Sequence, residues 1–72
     1  MKILHDHDVI CLRKLVTADV IGEGRTLSMP AGAMGTVVLV HGDPMSPVAY
    51  EVEFYVQEQN CYALATIEAN NI

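Results

Sequence analysis

Hydrophobic and polar positions alternate most cleanly over residues 49–56, AYEVEFYV. There Tyr50, Val52 and Phe54 fall on one face and Glu51, Glu53 and Tyr55 on the other. A period of two marks a strand with one buried side. The polar stretch QEQN and a second apolar-rich run over 61–68, CYALATIE, complete a predicted antiparallel hairpin. Upstream, residues 35–41, GTVVLVH, predict a strand that is apolar on both faces. It is closed by the turn GDPMSP over 42–47, whose two prolines cannot donate to a ladder. Residues 8–16, DVICLRKLV, predict the first strand, with Ile10 and Leu12 on one face and Val9 and Cys11 on the other. Residues 17–33 show no clean period and predict a long loop. A short hairpin around GEG, flanked by Val20–Ile21 and Thr26–Leu27, is the ordered alternative within it. The last four residues, ANNI, predict one turn of 3-10 helix. No segment sustains a 3.6-residue period, so no longer helix is expected.

Four to five short antiparallel strands in 72 residues cannot bury a core as one flat sheet. One face would stay wet and both edges open. The predicted fold is therefore all-β: one domain over residues 1–72, with the sheet bent back on itself as a small barrel. Bending requires glycine where backbones turn or approach closely. Gly32 and Gly35 are placed at the corner leading into the Val-rich strand, and Gly42 at the turn that leaves it.

Nine carboxylates face four Lys and Arg, for a net charge of −5. Arg13 and Lys14 are the one adjacent cationic pair. A phosphate-binding surface draws its affinity from clustered cations, so nucleic acid is excluded as a partner. No apolar run approaches the ~20 residues of a membrane span, and no leader-like segment follows Lys2. The expectation is a cytoplasmic chain without a membrane partner. Cys11 and Cys61 lack metal or redox spacing and are expected as free, buried thiols. A bridge between them would require neighbouring strands.

Four stretches together carry a resemblance: HDVICL, PAGAMGTVVLV, YEVEF and ALATIEANNI. In this order they resemble an uncharacterised bacterial family of small single-domain proteins of unknown function. The Gly-Thr-Val-Val stretch also resembles SH3-like barrels of the KOW type. The resemblance omits residues 17–29. It implies a small SH3-like barrel and no catalytic residues.

Candidate chemistry is sparse. In HDHD, alternate residues of an extended chain share a face. His5 and His7 would then pinch a metal, with His41 as a third ligand. The favoured reading of the same segment is a solvated N-terminal stretch with two titratable side chains. Glu51 and Glu53 share a face roughly 7 Å apart, a spacing seen in acid pairs, although a half-wet strand looks the same. Both cysteines sit in apolar runs, without the cationic surroundings that activate a thiolate nucleophile. Neither Ser28 nor Ser46 has a nucleophile-elbow context. GEGRTL and AGAMG lack the Gly-Lys-Ser/Thr ending of a phosphate loop. The sequence thus calls for no cofactor and reads as a non-enzyme.

Apolar residues exceed what one small interior holds: 51% of the chain is hydrophobic. The double-sided strands predict an exposed patch built from Val9, Cys11, Val38, Val40, Tyr62 and Leu64. The alternative is that residues 17–33 fold over it. Whether Val38 and Val40 or Val37 and Leu39 face outward depends on a bulge after Gly35. The expected function is a protein–protein interaction module that forms a homodimer or binds another protein, as an antitoxin or immunity protein does. The alternative is a small-ligand or metal-binding barrel using His5, His7 and His41.

Overall fold

A computed structural model describes residues 3–72. The chain forms β1 (Val9–Cys11), β2 (Val16–Val20), β3 (Thr26–Met29), β4 (Met34–Asp43), β5 (Ser46–Val56) and β6 (Cys61–Glu68). Single 3-10 turns cover Gln57–Gln59 and Ala69–Asn71. The strands make one curled, wholly antiparallel sheet in the order β1-β4-β5-β6-β2-β3, an all-β half-barrel. Among the described residues no helix is long and apolar enough to cross a membrane.

The strand count is six, not four to five, and the difference lies in residues 8–33. The predicted first strand breaks after Cys11, because Arg13, Lys14 and Leu15 are all exposed and no face is left to bury. The predicted loop holds the hairpin around GEG, with Val16 opposite Met29 and Asp19 opposite Thr26. Val9 opposite Thr36 and Cys11 opposite Met34 continue the same register across the break. Between them, Leu12 N–H donates to Ala33 O and Gly32 N–H to Leu12 O, each at 2.8 Å. Residues 9–36 are therefore one long hairpin, sharply bent in the middle. Gly32, at φ +93°, supplies the left-handed residue at the bend. One arm of the bent hairpin lays β4 on β5. The other lays β2 on β6.

The β5–β6 hairpin is the wall that this bend wraps. Its register runs without a slip from Ala49 opposite Glu68 to Val56 opposite Cys61. Asn60, at φ 49°, closes the turn after the 3-10 residues. Tyr50, Val52 and Phe54 point inward and are fully buried together with Val37, as the alternation predicts. From β6 the inward positions are Ala63, Ala65 and Ile67, and from β2 Ala18. Small residues on one side leave room for the large ones opposite, which lets so short a chain pack densely. The Tyr50 hydroxyl accepts a hydrogen bond from Leu4 N–H at 3.2 Å and seats the buried Leu4 against the core. No buried side-chain polar atom among the described residues lacks a partner.

The β4–β5 hairpin is longer than predicted. Its strands run on to Asp43 and from Ser46, so only Pro44 and Met45 turn. Met45 N–H donates to Asp43 Oδ1 at 2.8 Å and sets that turn. Pro47 fits because residues 46–48 lie beyond the last β6 partner, Glu68 opposite Ala49, where no donor is needed on that edge. Gly42, at φ +90°, lies at a register slip opposite Pro47.

Gly35 has a different task from Gly32. Its φ is ordinary. A Cβ there would lie 2.5 Å from Val52 Cγ1 and 2.7 Å from Phe54 Cε1. Both neighbours are fully buried and have no space to retreat. Gly35→Ala is expected to destabilise the fold by about 1–3 kcal/mol through overpacking, read as a lower urea midpoint. Phe54→Ala is expected to cost about 3–5 kcal/mol and to leave much of a domain this small unfolded at room temperature, visible as loss of the cooperative thermal transition.

Candidate functional site

Two bulges decide what the outer face of the sheet presents. Val37 pairs with Val52, but the next pair is Leu39 with Glu51, so Val38 is the extra residue. The slip resets the phase of β4. Val37 points in, Val38 and Leu39 are exposed, and Val40 packs against the core. Across β4 from this bulge lies another. His7 N–H donates to Val37 O at 2.7 Å, and Val37 N–H to Asp8 O at 2.8 Å. His7, at φ 75°, occupies the left-handed position of that bulge, where glycine is usual.

The predicted patch is distributed as follows. Val9, Cys11, Tyr62 and Val38 are exposed on the outer face, and Leu64 is half-buried there between Glu53 and Asp19. Val40 is the exception, since the bulge at Val38 turns it toward the interior. The alternative, that residues 17–33 cover this face, does not hold, because those residues extend the sheet instead. Cys11 is exposed rather than buried, and Cys61 is buried. Their strands are separated by β4 and β5, and both thiols are free.

Sequence reasoning missed the most regular feature of this face. Cys11 lies opposite Met34, and Tyr55 opposite Tyr62. The pairing of Thr36 with Glu53, continued in step, sets Met34 beside Tyr55. Ile21 N–H donates to Tyr62 O at 2.9 Å, which places Ile21 next. Cys11, Met34, Tyr55, Tyr62 and Ile21 thus line up across the outer face, from β1 to the residue that follows β2. Met34, Tyr55, Tyr62 and Ile21 each keep 50–60% of their surface exposed. The tyrosine rings are 5.1 Å apart and tilted, and Tyr55 Oη donates to Asn60 Oδ1 at 2.8 Å. No charged side chain interrupts the row. Met34 and Ile21 sit in stretches without alternation, so only the register reveals them.

The histidines do not converge. Residues 5–8 form a tight turn in which His5 N–H donates to Asp8 Oδ2 and Asp8 N–H to His5 O. The segment is not extended, so His5 and His7 share no strand face. Each lies near a neighbouring carboxylate instead, Asp8 and Asp6 respectively. His41 stands on the outer face of β4 with Nε2 3.5 Å from Glu51 Oε1. Among the described residues no three His, Cys, Asp or Glu side chains are grouped to hold a metal. Glu51 also accepts from Thr66 Oγ1. It is thereby tied into the sheet surface and does not face Glu53 across a cleft.

At the other end of β6 the sheet opens. A groove of about 270 Å³ runs between the corner at Leu12–Val16 and the end of β6. Leu12, Val16 and Ile67 form its floor, with Arg13 and Lys14 on one rim and Glu68 and Asn71 on the other. Arg13 Nη1 donates to Ile72 O at 3.3 Å. Among the described residues neither Arg13 nor Lys14 pairs with an Asp or Glu side chain. Arg25 differs: its Nε donates to Glu23 at 2.9 Å, and that hydrogen bond raises the guanidinium pKa.

Comparison of the chain with protein-family models, curated proteins and solved structures finds no match.

The bulge at His7 yields a stability test. Glycine adopts the left-handed conformation without strain, and β-branched residues resist it. His7→Gly is expected to leave stability unchanged or raise it by up to about 1 kcal/mol, read from the urea midpoint. His7→Val is expected to lower it.

Proposed function

We propose that this chain is a non-enzymatic protein–protein interaction module, an SH3-like barrel that associates with a second copy of itself through the outer face of its sheet. The observation that carries this reading is the uncharged row of Cys11, Met34, Tyr55, Tyr62 and Ile21. Contiguous exposed apolar surface with a polar border marks interaction sites on small soluble domains. Its burial gains about 25 cal/mol per Å². A two-fold axis through the row uses the same patch twice. Tyrosine suits such a contact, because it combines a large apolar ring with a polar tip. Glu53 and Asp19 flank the row in the neighbouring register and supply a charged rim. The net charge of −5 opposes indiscriminate association elsewhere on the surface. The resemblance to small bacterial single-domain proteins and to KOW-type barrels is in keeping with a module whose work is binding.

Light scattering at about 100 μM, where a dimer of ~6 kcal/mol or better is populated, is expected to give twice the chain mass. Tyr62→Glu is expected to give a folded monomer with an unchanged circular dichroism spectrum, since the side chain is exposed and two carboxylates would meet across the axis. Val40→Glu is expected to unfold the domain instead, because it puts a charge against the core. Adding zinc is expected to leave the mass unchanged, and a zinc-dependent mass would support the metal-binding alternative. A monomeric wild type at this concentration overturns self-association.

A further inference from the structure

The groove at the far end of β6 is a place where a ladder stops early. β2 and β6 pair only through Asp19 with Leu64 and Val20 with Ala63. In the same register, Thr17 would next meet Thr66 and Leu15 would meet Glu68, but the corner at Arg13–Lys14 carries β2 away. Backbone groups alternate sides along a strand. Because Ile21 N–H bonds Tyr62 O, the even-numbered residues of β6 direct their amides toward β2. Thr66 N–H, Thr66 C=O and Glu68 N–H therefore face the groove without a strand partner. The Glu68 carbonyl is taken up by the 3-10 turn that follows. The chain thus offers a short open strand edge above an apolar floor, with Arg13, which donates to Ile72 O, and Lys14 on the opposite rim, neither of them paired with an Asp or Glu side chain.

We propose that this groove docks an extended acidic peptide segment, which adds as a short strand along Thr66–Glu68 and places a carboxylate against Arg13 and Lys14. Each part of the site answers one part of such a ligand. The unpaired backbone groups match a peptide main chain, which is how sheet edges capture extended segments. The floor of Leu12, Val16 and Ile67 takes a small apolar side chain on the inward face of the added strand. Arg13 and Lys14 concentrate positive charge at one rim of an otherwise acidic protein. Glu68, on the other rim, disfavours a carboxylate there and so fixes which way the peptide lies. A cationic segment would be repelled by Arg13 and Lys14, and a neutral one would gain nothing from them. The docking strand lies along the C-terminal half of β6, whereas the tyrosine row crosses its N-terminal half, so this inference does not rest on self-association.

The probe is a short capped peptide of alternating valine and glutamate, at millimolar concentration, against the full chain carrying Tyr62→Glu as well as the wild type. The readout is amide hydrogen exchange by NMR. Exchange at Thr66 and Glu68 is expected to slow about tenfold as these amides enter a ladder, equally in both proteins. A peptide N-methylated along its pairing edge keeps the charge but loses the main-chain donors, and is expected to leave both amides unprotected. The double variant Arg13→Glu, Lys14→Glu, at two exposed positions, is expected to reverse the preference toward a valine–lysine peptide. Equal protection by the N-methylated peptide would mean adsorption by charge alone and overturns the proposal. Unchanged exchange at Thr66 and Glu68 with every peptide overturns it as well.

Discussion

The contact between Phe54 and the bare backbone of Gly35 sets how tightly the sheet curls. Every inward side chain on β5 requires space, and β4 yields it at Gly35, which has no Cβ. With that approach allowed, β4 lies close on β5, and the bent hairpin of residues 9–36 swings its far arm onto β6. Alanines at 18, 63 and 65 do the same on the opposite wall, where they leave the interior to Tyr50, Val52 and Phe54. The fold thus depends on a division of labour. The largest residues come from β5, and its neighbours add Val37 and Ile67 beside a set of alanines. An interior this small offers about the least core that sustains a domain, so a methyl group at Gly35 bears on the whole sheet.

The same tight curl explains the bulges. A strand that follows a strongly twisted surface cannot keep strict alternation throughout, and an extra residue takes up the difference. In β4 this is Val38. Its insertion moves Leu39 outward and Val40 inward, which reconciles an all-apolar VVLV with a sheet that has only one interior. On the facing strand the compensation is at His7, whose left-handed backbone lets two residues oppose Val37. Two irregularities on either side of Val37 hold that side chain in the centre of the core.

Most of the architecture was legible in the residues, and the gaps have specific causes. The β5 and β6 strands, the turn between them and the inward set Tyr50, Val52 and Phe54 follow from alternation, because each has one wet face and one dry face. The terminal 3-10 turn follows from the loss of apolar period at ANNI. Residues 17–33 resisted because β3 is an edge strand. Thr26 and Ser28 are exposed while Leu27 and Met29 are only half-buried, so the period-two signal is faint. The break after Cys11 resisted because Leu12 is buried while Leu15 is exposed, and hydropathy alone cannot distinguish them. At the candidate site, Val9, Cys11, Val38 and Tyr62 were legible as surplus apolar residues. Val40 was misplaced by one unseen bulge. Met34 and Ile21 join the row only through strand register, which is a property of pairing and not of local pattern.

The two open surfaces are consequences of one geometric fact. A sheet of six short strands closes only if its longest hairpin bends, and the bend comes where Arg13 and Lys14 replace apolar residues. Bending there pulls β2 off the C-terminal half of β6, which opens the groove. It also swings β1 and β2 to opposite sides of the β4-β5-β6 wall, so that Cys11 and Ile21, from a single hairpin arm, terminate the same outer row. A flatter sheet would pair β2 with β6 along its length and close the groove, but it would also lose the enclosed interior that Phe54 fills. The exposed row and the unfinished ladder are thus tied to the core by the same bend, and a substitution that relaxes the curl at Gly35 would alter all three together.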